Sequence, residues 1–246
     1  MSGYPQWTYL SPHLDDAVLS CGGLIWQQIQ NGFHIEIWTI FAGDQPAGDL
    51  TPFAQSLHDR WQSGQNTAVT RRLEDAKACR ILKAEYRHFD YPDCIYRLDD
   101  TGQAVISREE DLFQPGYQGE TALVQSLAER LARELPQETV LVIPYGFGAH
   151  IDHQLVRHSA EMLRHCKWLY ADYPYSAVVA GNLLKWLSLP GNNYQLPIDK
   201  IGLNKWQEAV AAYETQLGTF WTSPDDMQQK ITDYCLTGAG CLLHQG

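Results

Sequence analysis

The apolar residues of the first part of the chain fall into two kinds of pattern: short continuous runs, and runs with helical spacing. Residues 7–13 (WTYLSPH) predict a strand. Residues 15–31 predict a helix, because their apolar positions recur at three- and four-residue steps. Residues 34–44 (HIEIWTIFAGD) form an almost continuous apolar run, which is typical of a strand buried on both faces of a parallel sheet.

The same two patterns continue along the chain. Helical spacing predicts further helices at 70–84, 121–136 and 152–166. Apolar runs predict a short strand and loop at 86–93, and strands at 139–146 and 168–175. Polar composition predicts long loops at 45–65 and 97–118. Beyond about residue 176 the pattern is less regular, and one more amphipathic helix is indicated by Trp206, Val210, Tyr213 and Leu217.

This alternation of strands and helices predicts an α/β fold: a mostly parallel sheet with helices on both faces, in three layers. We expect one domain over residues 1–246, with a less regular C-terminal part from about 176. The patterns do not give the order of the strands in the sheet.

Composition narrows the classes of function. The 18 basic and 29 acidic residues give a net charge of -11 without a basic block, which argues against nucleic acid as a partner. No segment reaches about 18 uninterrupted apolar residues, so we expect no integral membrane segment. The six cysteines lack metal-site spacing and are expected to be free thiols, as in a cytoplasmic protein.

Residues able to carry chemistry follow two of the predicted strands. PHLDD (12–16) follows the first strand, and GAHIDH (148–153) follows the strand at 139–146. In open parallel sheets, ligands bind outside the carboxyl ends of the strands, where loops and helix N-termini converge. If these two strands are neighbours, the motifs meet and bring histidine nitrogens and aspartate oxygens together.

This donor set is typical of a catalytic zinc site, in which three protein ligands leave one position open to water. We predict that His13, Asp16 and His153 bind one ion. Asp15 is predicted to act as the general base, because adjacent residues at a turn diverge and its carboxylate is then free of the ion. His150 is predicted, when protonated, to stabilise a developing oxyanion or to protonate a leaving amine.

Two more residues near these motifs are candidates for supporting roles. Asp152 is predicted to hold an imidazole by a hydrogen bond, although an aspartate that begins a helix is more often a cap. Tyr145 lies near the end of the strand predicted at 139–146 and is a candidate for stacking on a sugar ring. Capping alone does not readily explain two strand ends that both carry histidine and aspartate, so we favour metal chemistry.

The stretches SPHLDD, CGG (21–23) and HIDH together resemble the PIG-L or LmbE-like deacetylases, whose motifs are an HPDDE-like stretch and an HxDH stretch. The resemblance implies the same metal ligands and the same base as above. It also implies that Arg71 in RRLEDA and Asp93 in YPDCIYR contact the substrate, although a solvated Arg71–Arg72 pair at a helix start explains Arg71 equally well. Leu14 stands where the family has proline, and Ala17 stands where it has glutamate.

The resemblance further implies an LmbE-like, Rossmann-like fold and a zinc-dependent N-deacetylase that removes acetyl groups from an N-acetylglucosamine-type amino sugar or its conjugate. One Zn²⁺ per chain is expected, with Fe²⁺ as the alternative native metal. Two other functions stay open: another metal-dependent hydrolase, such as a two-metal phosphoesterase, and a non-catalytic nucleotide- or sugar-binding module. The sequence specifies neither the aglycone nor whether the chain forms a homo-oligomer.

Overall fold

The computed structural model describes residues 5–61, 66–179 and 181–246. Seven strands form one sheet: β1 (Trp7–Ser11), β2 (Ile35–Thr39), β3 (Glu85–His88), β4 (Val140–Pro144), β5 (Lys167–Tyr170), β6 (Asn193–Gln195) and β7 (Leu242–Gln245). Their order in the sheet is β3-β2-β1-β4-β5-β7-β6. The first five strands are parallel, whereas β7 pairs antiparallel with both β5 and β6. The predicted α/β class with a mostly parallel sheet is confirmed.

The helices described are α1 (Asp16–Gln30), α2 (Pro52–Trp61), α3 (Thr67–Leu82), α4 (Thr121–Glu134), α5 (Ile151–Glu161), α6 (Tyr175–Val178), α7 (Asn182–Leu187), α8 (Lys200–Val210), α9 (Glu214–Phe220) and α10 (Pro224–Leu236). Short 3-10 turns lie at Cys94–Tyr96, Glu109–Leu112, Phe147–Ala149 and Ala239–Cys241. Within the described ranges, no helix combines the length and the apolar character that a membrane crossing requires.

The sheet reverses its direction of winding between β1 and β4. The chain moves outward from β1 through β2 to β3, and then returns to β4 on the other side of β1. Right-handed crossovers that run in opposite directions place their helices on opposite faces, so α1 and α3 cover one face while α4 and α5 cover the other. Both motifs named above therefore follow strands that flank this reversal, where open α/β sheets bind ligands.

The region 45–65, for which the sequence predicts a loop, contains helix α2, so that prediction is wrong. Ala54 and Leu57 of this helix are buried in a small apolar cluster, separate from the main core, that also contains Ile95 and Ile106. Such a narrow apolar face leaves most of the helix polar, which is why composition indicated a loop. Residues 62–65 lie outside the described residues.

The helix predicted through Trp206 and Leu217 is instead two helices, because α8 ends at Val210 and α9 begins at Glu214. Two side chains of α3 stabilise the break between α8 and α9. Asp75 Oδ1 accepts a hydrogen bond from the Tyr213 hydroxyl (2.7 Å), and Glu74 accepts hydrogen bonds from the backbone N–H (2.8 Å) and the hydroxyl (2.7 Å) of Thr215.

Trp206 packs so closely on α1 that only glycine fits beneath it. It is fully buried, and its indole N–H donates a hydrogen bond to the Val18 carbonyl (2.7 Å). A Cβ at position 22 would overlap Trp206 Cδ1 and lie 2.9 Å from Nε1. The main reason for glycine at 22 is therefore close packing, and Gly23 meets the same indole ring.

Gly22→Ala is expected to lower the free energy of unfolding by about 1–3 kcal/mol, because the rigid indole ring cannot move without breaking its hydrogen bond. Gly218→Ala is the matched control, since a Cβ there meets nothing within 4 Å and alanine favours the α9 helix. Urea unfolding measures both variants. Equal stability of the two would show that the packing at residue 22 is loose.

Candidate active site

The two motif loops meet because β1 and β4 are adjacent, with Trp7 opposite Val140 and Tyr9 opposite Val142. Each strand thus delivers the residues after it to the same edge of the sheet. The ring centroids of His13 and His153 are 5.5 Å apart. The His150 ring lies 4.9 Å from His13 and 5.2 Å from His153.

Asp16 lies between two imidazoles. Its Oδ2 is 3.2 Å from His13 Nδ1 and 3.3 Å from His153 Nε2, and it accepts a hydrogen bond from the His13 backbone N–H (2.7 Å). Tetrahedral ligands with metal bonds of about 2.0–2.1 Å are separated by about 3.3 Å. The distances from Asp16 Oδ2 to the two imidazole nitrogens match this spacing, so these three residues are candidates to hold a divalent cation such as zinc.

Two further carboxylates fix the imidazoles of this cluster. His13 Nε2 lies 3.0 Å from Asp152 Oδ2, and His153 Nδ1 lies 2.7 Å from Asp172 Oδ1. When these nitrogens carry the ring protons, His13 Nδ1 and His153 Nε2 are left unprotonated and face Asp16. Asp152 therefore has the contact that the sequence predicted.

Asp172 was missed in the sequence, although YADYPY places it directly after β5. Its Oδ2 also accepts hydrogen bonds from the backbone N–H groups of Gly146 (2.7 Å) and Phe147 (3.0 Å). The carboxylate thus links His153 to the turn that follows β4. The signal available was its position, an acidic residue at the carboxyl end of a third strand.

Arg97 was also missed, because it lies in the polar region 97–118. Its buried guanidinium donates hydrogen bonds to Asp152 Oδ1 (2.5 Å) and to both carboxylate oxygens of Glu120 (2.6 and 3.0 Å), and it stacks 4.8 Å above the Phe41 ring. Burial alone would raise the pKa of Asp152, but Arg97 and His13 hold it well below its usual range. Asp152 therefore remains an anion beside His13.

Asp15 begins α1 beside the cluster, but its carboxylate faces a different neighbour. Its Oδ2 lies 3.6 Å from Arg71 Nη2, and the side chain is almost fully buried. Burial and the negative charge of Asp16 raise the pKa of Asp15 to about 7, against the opposing charges of Arg71 and His13. Asp15 is also one of the residues that line the cavity described below.

His150, rather than Asp152, caps α5. His150 Nδ1 accepts a hydrogen bond from the Asp152 backbone N–H (3.2 Å), so the proton of the neutral ring lies on Nε2. Burial and the neighbouring His13 and His153 lower the pKa of His150 well below its usual value. The geometry favours a neutral imidazole that donates from Nε2, whereas the sequence suggested a protonated ring.

Four of these residues, His13, Asp15, Asp16 and His150, line a cavity of about 340 Å³. Its polar lining also includes Arg71 and Asp93. Its apolar walls include Leu57, Trp61, Phe113, Tyr175 and Phe220. The Arg71 guanidinium stacks 4.9 Å above the Trp61 ring, and Asp93 Oδ2 lies 3.9 Å from His13 Nε2. Arg71 and Asp93 are thus both within the cavity.

Tyr145 is not among the residues that line this cavity. Its ring packs 4.6 Å from Phe147 and 5.6 Å from Trp186, with the Arg157 guanidinium 5.2 Å above its face, beside a separate groove. Gly146, with φ of 92°, turns the chain immediately after Tyr145. The structure therefore does not bring Tyr145 together with the other predicted site residues.

Residues 8–163 match the family model described as PIG-L, GlcNAc-PI de-N-acetylase. The chain belongs to this family. It is 29% identical over 187 residues to a 2'-N-acetylparomamine deacetylase from Niallia circulans, a match that covers 68% of this chain and 66% of that protein. It is 32% identical over 151 residues to a protein of the same name from Streptomyces fradiae, covering 60% of this chain and 48% of that protein.

The chain thus spans about two thirds or less of the length of these curated PIG-L relatives. Among solved structures, the fold is similar to that of the zinc-inhibited form of teicoplanin deacetylase Orf2. The TM-score is 0.78 at 24% identity, and the match covers 98% of each chain. This likeness confirms the LmbE-like fold expected from the sequence.

Asp172→Asn is expected to weaken metal binding about 10- to 100-fold, because the variant loses the charge that orients His153 while the amide oxygen can still accept the backbone N–H groups. Competition with a chromophoric chelator measures the affinity. Asp100→Asn, at an exposed position, is the control. Wild-type affinity of Asp172→Asn would contradict the role given to this carboxylate.

Proposed function

We propose that the protein is a metal-dependent N-deacetylase that hydrolyses the acetamide of an N-acetylated amino sugar or its conjugate. The observation that carries the proposal is that His13 Nδ1 and His153 Nε2 both lie within 3.3 Å of Asp16 Oδ2, while Asp15 lines the same cavity as His13 and Asp16. The names of its relatives, deacetylases of 2'-N-acetylparomamine and of teicoplanin, support this substrate class.

A bound divalent cation would supply a Lewis acid that polarises the acetyl carbonyl and lowers the pKa of water. Asp15 accepts a proton from the attacking water. His150 donates a hydrogen bond from Nε2 to the acetyl oxygen as negative charge develops on it. Asp15 then gives its proton to the leaving nitrogen, so that the C–N bond breaks and acetate and a free amine result.

The cavity also suits recognition of the sugar. Its volume of about 340 Å³ is of the size of small-molecule sites. Asp93 offers a carboxylate to sugar hydroxyls, and Arg71 offers a guanidinium donor whose Nε is buried without a hydrogen-bond partner in the described ranges. We propose both as substrate-binding residues, and we leave Tyr145 out of the proposed site.

We propose one metal ion per chain, either Zn²⁺ or Fe²⁺. Two imidazoles and one carboxylate suit both ions. The zinc-inhibited form of the teicoplanin deacetylase indicates that zinc can inhibit a protein of this fold, so the amount of metal supplied matters. Activity should therefore be measured with one equivalent of each metal and again with excess metal.

We also propose that the protein is a single domain and is cytoplasmic. All six cysteines are free thiols, as expected in a reducing compartment. One hydrophobic core includes residues from Trp7 in β1 to Leu243 in β7, which supports a single domain over the whole chain.

Acetate release from 2'-N-acetylparomamine and from N-acetylglucosamine, by protein loaded with one equivalent of metal, tests the proposal. Acetate in a 1:1 ratio with new primary amine is the expected result. A nitrophenyl phosphate ester is the control for phosphoesterase activity. Release of phosphate instead of acetate, or two tightly bound ions per chain, would overturn the proposal.

A further inference from the structure

Tyr175 occupies a place in the cavity that the reaction described above does not use. It begins α6 and lines the same cavity as Asp15, Asp16 and His150. Its ring makes edge contacts with Phe113, at 5.7 Å between centroids, and with His153, at 6.0 Å.

The Tyr175 ring also packs against the backbone at Gly148. A Cβ at position 148 would lie 2.6 Å from Tyr175 Cδ1, so the ring rests directly on Gly148, two residues before His150. The Asn182 side-chain amide donates a hydrogen bond to the Tyr175 carbonyl (3.1 Å), which ties the backbone to α7. An aromatic ring fixed on several sides presents its hydroxyl in one position at little entropic cost.

The hydroxyl of Tyr175 has no hydrogen-bond partner within residues 5–61, 66–179 and 181–246, and it is not sealed from solvent. The ring that carries this hydroxyl contacts His153 and lines the same cavity as Asp15 and Asp16. A phenol is protonated at neutral pH. It is therefore a donor that no described protein group uses, in the cavity that contains the proposed base.

We propose that Tyr175 is a catalytic residue whose hydroxyl donates a hydrogen bond to the acetyl oxygen of the substrate. This inference rests on the proposed deacetylase function. The acetyl oxygen is the atom on which negative charge develops when water adds to the carbonyl. A fixed donor there stabilises the transition state more than the bound substrate, so its effect falls on kcat.

The alternative hydrogen-bond partner of the Tyr175 hydroxyl is a hydroxyl group of the sugar. That contact would be present in the substrate and in the transition state alike, so its loss would raise KM and leave kcat unchanged. The contact of the Tyr175 ring with His153, a proposed metal ligand, favours the acetyl oxygen, because a bound ion would polarise that atom.

Tyr175→Phe removes the hydroxyl alone and keeps the ring contacts. We expect kcat for acetate release to fall about 10²- to 10³-fold with little change in KM. Metal affinity, measured by chelator competition, is expected to match that of the wild type. Tyr86→Phe, at an exposed position on β3 and outside the residues that line the cavity, is the matched control and is expected to keep wild-type kcat.

The outcomes separate this inference from the proposed function. An active wild type with an equally active Tyr175→Phe variant would overturn the role of Tyr175 and leave the deacetylase standing. A rise in KM at wild-type kcat would overturn it too, since it would place the hydroxyl on the sugar. If the wild type releases no acetate from either probe while it binds metal, the proposed function fails and this inference fails with it.

Discussion

Asp15→Asn is expected to bind one metal ion as the wild type does and to release acetate about 10²- to 10⁴-fold more slowly. The amide has the size of the carboxylate but cannot take a proton from water. Asp15 Oδ2 lies 3.6 Å from Arg71 Nη2, and the three donors proposed for the ion belong to other residues, so the variant keeps all three. Steady-state acetate release and chelator competition measure the two properties separately.

Asp49→Asn is the matched control for this experiment, because Asp49 is exposed and does not line the cavity. It should match the wild type in both measurements. Two results would contradict the assignment of Asp15 as base. One is an Asp15→Asn variant with near wild-type kcat, and the other is loss of the metal ion together with activity, which would place Asp15 among the ligands.

The sequence predicted the motif residues of the candidate site because each buried strand of a parallel sheet ends where a continuous apolar run ends. The apolar runs before His13 and before His150 end where the sheet ends, so chemistry-bearing residues after them fall at one edge. What the runs could not give is the order of the strands. The adjacency of β1 and β4, on which the convergence depends, is set by the packing of the whole sheet.

Residues that act from elsewhere in the chain left weaker signals. Arg97 reaches Asp152 across 55 positions, and Asp172 reaches His153 from the end of a different strand. Neither contact follows from local spacing. For Tyr145, proximity along the chain predicted a contact that the fold does not make, because the turn at Gly146 directs the chain elsewhere. The fold instead brings Tyr175 to the cavity.

The C-terminal part was the least predictable region for a related reason. Its strands β6 and β7 are short and antiparallel at the edge of the sheet, so they lack the long apolar runs of β1 and β4. The break between α8 and α9 depends on Glu74 and Asp75 of α3, more than 130 positions earlier. Local periodicity therefore predicted one continuous helix across this break.

His153→Ala is expected to lose both the metal ion and acetate release. The variant removes one of the three proposed metal donors and leaves Asp172 as a buried carboxylate without its imidazole. Its metal affinity should fall by more than the roughly 10- to 100-fold that loss of an outer partner costs, and so by more than in Asp172→Asn. Chelator competition and metal content after dialysis measure this loss.

His158→Ala is the control for that variant, because it removes an imidazole from the same helix at a position that does not line the cavity. It should retain one ion per chain and wild-type acetate release. A folded His153→Ala protein that still holds its ion with wild-type affinity would mean that other donors bind the metal. His150, which has a ring nitrogen within 4.8 Å of one of His13, would then be the next ligand to test.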